Sequence, residues 1–164
     1  MTLAPLQNAS FAIQIHVAIA VLAFLLGGLV LFRAKGDKAH RMAGKIWVVL
    51  MLVVAITSFF IHTIRLVGPW SPIHLLSIVT LWSLYSGIRA VRRKRILEHR
   101  RTMQSLYLGA LVIAGGFSFL PGRIMHEVFF DGPHPWMGMS LAAAIAAVVL
   151  WLAWRSFLAR RLSA

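Results

Sequence analysis

FAIQIHVAIAVLAFLLGGLVLF, residues 11–32, runs into RAKGDKAHR at 33–41 and then into MAGKIWVVLMLVVAITSFFIH at 42–62. The first run carries no charge and is long enough to cross a hydrocarbon core of about 30 Å as a helix, which takes about 20 residues. A short basic break follows, and then a second run of similar length. A soluble domain is about 45–50% apolar, whereas 60% of these 164 residues are hydrophobic and the mean hydropathy is +0.81. A chain this small cannot bury that excess in its own core, so lipid is its natural solvent.

Working outward, five such runs appear: Phe11–Phe32, Gly44–Leu66, Ile73–Val91, Leu106–Val128 and Trp136–Leu158. The third carries Ser77, Thr80, Ser83 and Ser86, and the fourth is interrupted at Pro121-Gly122. Bundles tolerate both features, because neighbouring helices re-satisfy polar groups. The expected fold is an all-α integral membrane protein, a single membrane domain. Two helical hairpins, 11–66 and 73–128, form its four-helix core, and a fifth helix at 136–158 lies outside them.

The charges orient it. Of the 17 Lys and Arg, Arg33, Lys35, Lys38, Arg41 and Lys45 fall between the first two runs. Arg89, Arg92, Arg93, Lys94, Arg95, Arg100 and Arg101 fall between the third and fourth, and Arg155, Arg160 and Arg161 in the tail. Only Arg65 and Arg123 fall in the other connections. The positive-inside rule makes the crowded side cytoplasmic, giving N-out and C-in. MTLAPLQNAS lacks the basic start of a secretory signal, so the first run is expected to be a retained helix. Trp70 and Trp136 fall at outer boundaries and Trp47 and Trp154 near inner ones, as an aromatic belt would. The net charge of +13 reads as a topology signal with possible contact to anionic lipid, and no nucleic-acid partner is expected.

On this topology the histidines separate by side. His16, His62, His74, His126 and His134 lie toward the outside, and His40 and His99 at the cytoplasmic starts of the second and fourth runs. The hairpins echo one another: His16 to His40 spans 24 residues and His74 to His99 spans 25. His40-Arg41 is matched by His99-Arg100, and Ser58-Phe59 by Ser118-Phe119. A parallel repeat of this kind would bring His16 toward His74 and His40 toward His99. Helical steps from His16 meet Ala20, Ala23 and Gly27, a stripe that suits helix packing or the approach of a flat group. Steps from His40 meet Gly44, Trp47, Met51, Ala55, Ser58 and His62 on one face.

Cysteine is absent, so soft ligands come from seven His and seven Met. Imidazole pairs on facing helices are common axial ligands of haem. His16 with His74 (His62 as substitute) would serve an outer haem b, and His40 with His99 an inner one. The inner end of the first helix lies about 25 Å from His16 at 1.5 Å per residue, room for two haems in series. Arg41 and Arg100 would face the inner propionates, and Arg65 or Arg123 the outer ones. Solvated boundary histidines are the bland alternative. Another reading gathers His16, His62, His74 and His126 with Met125 and Met139 into an outer copper or zinc site. A third is a non-catalytic accessory subunit or a lipid- or quinone-binding protein, oligomerising through the alanine-rich fifth run. No H-E-x-x-H or G-x-S-x-G motif points to hydrolysis. No charge sits in mid-span, the usual sign of a channel or transporter.

The histidines near helix starts and the spacing His40-x-x-x-Gly44 resemble the cytochrome b561 type of diheme membrane protein. That resemblance implies transmembrane electron transfer from a quinol or other redox partner, with His16 and His74 outside and His40 and His99 inside. Met103 stands where the resemblance would place Gly. HRMAGKIWVVLMLVVAITSFFIH, PIHLLSIVTLWSL and EHRRTMQSLYLGALVIAGGFSFLPGR are together similar to a bacterial inner-membrane family, domain of unknown function 2306. This second resemblance implies the fold and the location, and no activity.

Overall fold

The computed structural model describes residues 2–61, 72–131, 136 and 140. Among these, the regular structure is entirely helical. It comprises α1 (Ala4–Gln7), α2 (Phe11–Phe32), α3 (Lys38–Ser58), α4 (Pro72–Arg92), α5 (Ile96–Leu106), a π-helical segment (Tyr107–Ile113), α6 (Ala114–Phe117) and α7 (Ile124–Phe130). The chain divides into two units, Asn8–Phe117 and Met1–Gln7 with Ser118–Ala164.

The larger unit is a bundle of four rods. α2 packs on α3, α3 on α4, α4 on α5, and the π segment closes the ring against α2. The fourth rod is continuous from α5 through the π segment into α6. Its centre is filled by Ala23, Trp47, Met51, Leu84, Leu106, Tyr107 and Leu111. Polar side chains share the interior with this apolar core, and large apolar side chains cover the outside. Ser58, His74, Ser77 and Thr80 are buried, while Leu22, Leu25, Leu29, Val49, Ile56, Ile78 and Val79 are exposed. Water would penalise such a surface and lipid does not. α2 and α3 are each long and apolar enough to cross a membrane.

Local chemistry sets the helix boundaries. The second apolar run begins at Gly44, yet α3 starts at Lys38. Asp37 causes this: its carboxylate accepts the His40 amide at 2.6 Å, satisfying one of the donors a helix start leaves open. It also takes a 2.9 Å bond from Arg33 Nη2. The His40 amide, and after it the Arg33 guanidinium, hold the Asp37 carboxyl below its usual pKa. A depressed folded pKa means that the stabilisation is complete above the unfolded value and fades as pH falls through the folded one. With four acidic residues in the chain, few other groups titrate there. Asp37→Asn, which keeps a cap without a charge, is therefore expected to flatten the fall of the thermal midpoint between about pH 5 and pH 2. Parallel midpoint curves for the two proteins would refute this.

The fourth apolar run, read as one span over Leu106–Val128, is divided. The rod begins ten residues earlier, at Ile96, and stops at Phe117. Pro121 cannot continue a helix, and Gly122 takes φ +77°, a left-handed value that suits glycine. In the smaller unit α1 lies against α7, with the Thr2 amide donating to Val128 O at 2.9 Å. The fifth run, 136–158, lies outside the described residues except for Trp136, which is exposed, and Ser140.

Candidate functional site

Three polar levels occupy the bundle. At its centre, Trp47 Nε1 donates to Ala23 O at 2.9 Å and Tyr107 Oη donates to Phe24 O at 3.1 Å. Two side chains thus hold successive carbonyls of α2. The Phe24 and Tyr107 rings stack at 5.7 Å. Gly27 permits this: a Cβ there would stand 2.4 Å from Trp47 Nε1 and 2.7 Å from Tyr107 Cδ2. The small stripe from His16 is therefore filled, at Ala23 and Gly27, by an indole and a phenol of the same chain. Trp47 also corrects an expectation. It is no belt residue at the headgroups, because it is 4% exposed and sits in the core. Tyr107 opens the π segment, whose wider turn carries the Ala114 amide back to Gly109 O.

The second level is the C-terminal end of α3, where three successive residues each take a side chain from a neighbouring helix. His16 Nδ1 meets Thr57 Oγ1 at 3.0 Å. Thr57 Oγ1 also reaches Val53 O at 2.7 Å and Val54 O at 3.1 Å within its own helix. Ser58 Oγ bonds Ser77 Oγ in a short contact. His74, 3% exposed, turns Nε2 toward Phe59 O at 3.3 Å, beside the Phe59 ring. A carbonyl only accepts, so His74 carries its proton on the nitrogen a haem iron usually takes.

The third level is the opposite end, at the first turns of α3 and α5. His99 Nδ1 donates to Gly87 O at 2.9 Å, which fixes the tautomer and leaves Nε2 bare. His40 Nδ1 is buried without a hydrogen-bond partner. Met103, the residue standing in place of an expected Gly, puts its methyl group against Gly87, where a Cβ would come within 2.0 Å of it. α4 and α5 are therefore pressed together where His99 is anchored. Arg41 and Arg100 are exposed, and Arg41 Nη1 also reaches Gly36 O at 2.9 Å.

In the smaller unit, His126 Nδ1 donates to Phe119 O at 2.9 Å, and its Nε2 stands 3.9 Å from Asp131 Oδ1. Arg123 precedes α7 without capping it by side chain, and Met125 lies within α7. His62, Arg65, His134 and Met139 lie outside the described residues. Among the described residues, no three of His, Cys, Asp and Glu gather closely enough to hold a metal ion. Sequence reasoning missed Thr57, Tyr107 and Gly87. Thr57 and Tyr107 act across the fold, 41 and 83 residues from their partners, and carry no local signal.

The fold and this arrangement of polar levels define an all-helical membrane bundle with imidazoles toward both ends. Residues 13–155 match the family described as predicted membrane protein, DUF2306, and the chain belongs to that family. No curated protein and no solved structure matches the chain.

Proposed function

We propose that this chain is a b-type haem-binding protein of the bacterial inner membrane, carrying electrons to or from a single haem at the end of the bundle marked by His40 and His99. The observation that supports this reading is a buried His40 Nδ1 without a hydrogen-bond partner near the start of α3, together with a His99 near the start of α5 whose Nδ1 is anchored on Gly87 O. Anchoring one imidazole nitrogen by a hydrogen bond is how proteins aim the other at a metal. Bound there, haem iron would supply reversible one-electron chemistry. His40 and His99 would hold it and the Gly87 carbonyl would fix the His99 ring. Arg41 and Arg100, next in sequence, would balance the propionates. The outer pair fits less well, since His74 spends Nε2 on Phe59 O and has almost no exposed surface.

Protein purified after growth with iron and a haem precursor is expected to show a Soret band, and dithionite should sharpen its visible bands. A colourless preparation would favour the second reading, an accessory subunit without cofactor. The filled bundle centre, Trp47 and Tyr107 on Gly27, is the observation that supports it.

The same proposal includes five spans with the N-terminus outside and the C-terminus inside, supported by the one-sided distribution of Lys and Arg. Fusion at the C-terminus is expected to give fluorescent green fluorescent protein and inactive alkaline phosphatase. The reverse result would overturn that orientation.

A further inference from the structure

The outward face of α4 changes character along its length in the order of a phospholipid. Leu75, Ile78 and Val79 are exposed and apolar. One turn on come Trp82, 69% exposed, and Tyr85, 55% exposed, with ring centroids 5.9 Å apart. Beyond them Arg89 and Arg93 border a surface groove of about 200 Å³ that reaches to Arg95 and Glu98 on the next rod. Steps of three and four keep Leu75, Ile78, Val79, Trp82, Tyr85 and Arg89 on one face of α4, and Arg93 follows just past its end. The rise from Ile78 to Arg89 is about 16 Å at 1.5 Å per residue, close to one leaflet's half of a hydrocarbon core of about 30 Å.

We propose that this face is a binding site for one anionic phospholipid. Its acyl chains lie along Ile78 and Val79, its glycerol region rests on the Trp82–Tyr85 pair, and its phosphate is held by Arg89 and Arg93. Charge favours an anion: Glu98, the acid in the groove, pairs with Arg95 at 3.4 Å. Arg89 and Arg93 have no acidic partner among the described residues. The turn joining the two rods is compact, which keeps the groove's walls in register. Lys94 takes φ +60°, the Arg95 amide returns to Ala90 O at 2.9 Å and the Lys94 amide to Val91 O at 3.0 Å. Amphipathic rings at the interface with cations just beyond are the usual setting for headgroup recognition. This inference needs the membrane setting and not the haem.

The test uses the full chain in neutral detergent, with native mass spectrometry reading retained dioleoylphosphatidylglycerol against dioleoylphosphatidylcholine. Phosphatidylglycerol should be preferred. R89Q/R93Q should weaken its binding about 25-fold, at about fivefold for each cation removed near a membrane surface. W82A, on an exposed position, should weaken both lipids while the protein elutes as wild type. K35Q/K38Q removes the same charge from another connection and should change little. Equal losses in the two double variants, no preference for phosphatidylglycerol, or full competition by free glycerol 3-phosphate at matched concentration would each overturn the proposal.

Discussion

Gly27→Ala is expected to destabilise the bundle by about 2 kcal/mol, within the range for forcing a methyl group into a packed core. In a helix interior Ala is normally better than Gly by up to about 1 kcal/mol, so the steric effect has to exceed that gain. It does so because the new Cβ would stand 2.4 Å from Trp47 Nε1 and 2.7 Å from Tyr107 Cδ2, and both rings are already tied to carbonyls of α2. Moving either ring loses a hydrogen bond that has no water to replace it. Gly44 is the control, since a Cβ there meets nothing within 4 Å. Gly44→Ala should be neutral or slightly stabilising. The measurement is unfolding in mixed micelles, and equal shifts for the two variants would remove the argument. Adding Trp47→Leu to Gly27→Ala should cost less than the sum of the single changes, because the shared volume is released only once.

Much of this architecture is written locally in the chain. A run of about 20 apolar residues has few alternatives to a helix, and α2 coincides with its run, Phe11–Phe32, at both ends. Helix ends were less legible where a side chain, not hydropathy, decides them. Asp37 moves the start of α3 into the basic connection, and Pro121-Gly122 limits how far the fourth rod can extend. The helical phase from His40 put Trp47, Met51, Ala55 and Ser58 on one face, and all four are buried. Trp47 is nonetheless no interfacial anchor, although its position near a span boundary is also where belt tryptophans occur. The stripe of Ala23 and Gly27 shows a general limit. Small residues announce that something large comes close, but its identity lies elsewhere in the chain, at Trp47 and Tyr107. The π segment leaves no period that separates it from α-helix over seven residues. His16 and Thr57 share no local pattern either. His40 and His99, matched in the sequence, stand near the starts of α3 and α5.

His99→Ala and His40→Ala are each expected to strip haem from the purified protein, lowering the Soret absorbance per protein at least tenfold. Disturbing only an outer partner of a metal ligand costs about 10–100-fold in affinity, and removing the ligand itself should do no less. His16→Ala and His74→Ala should leave the band in place, although they need not be silent. Loss of the His74 imidazole opens a cavity beside Phe59 and should lower the thermal midpoint. The discriminating comparison therefore pairs occupancy with stability. Inner variants should lose colour and elute as wild type, whereas outer variants should keep colour and melt earlier. Restoring the band to His99→Ala with free imidazole would show that a vacant ligand position, and not a collapsed bundle, caused the loss. If the outer variants lost the band and the inner ones kept it, the haem would have to sit at the α3 C-terminal end, with His74 released from Phe59 O. His16 would then be its first ligand, and the anchored geometry at Gly87 would belong to packing between α4 and α5 alone.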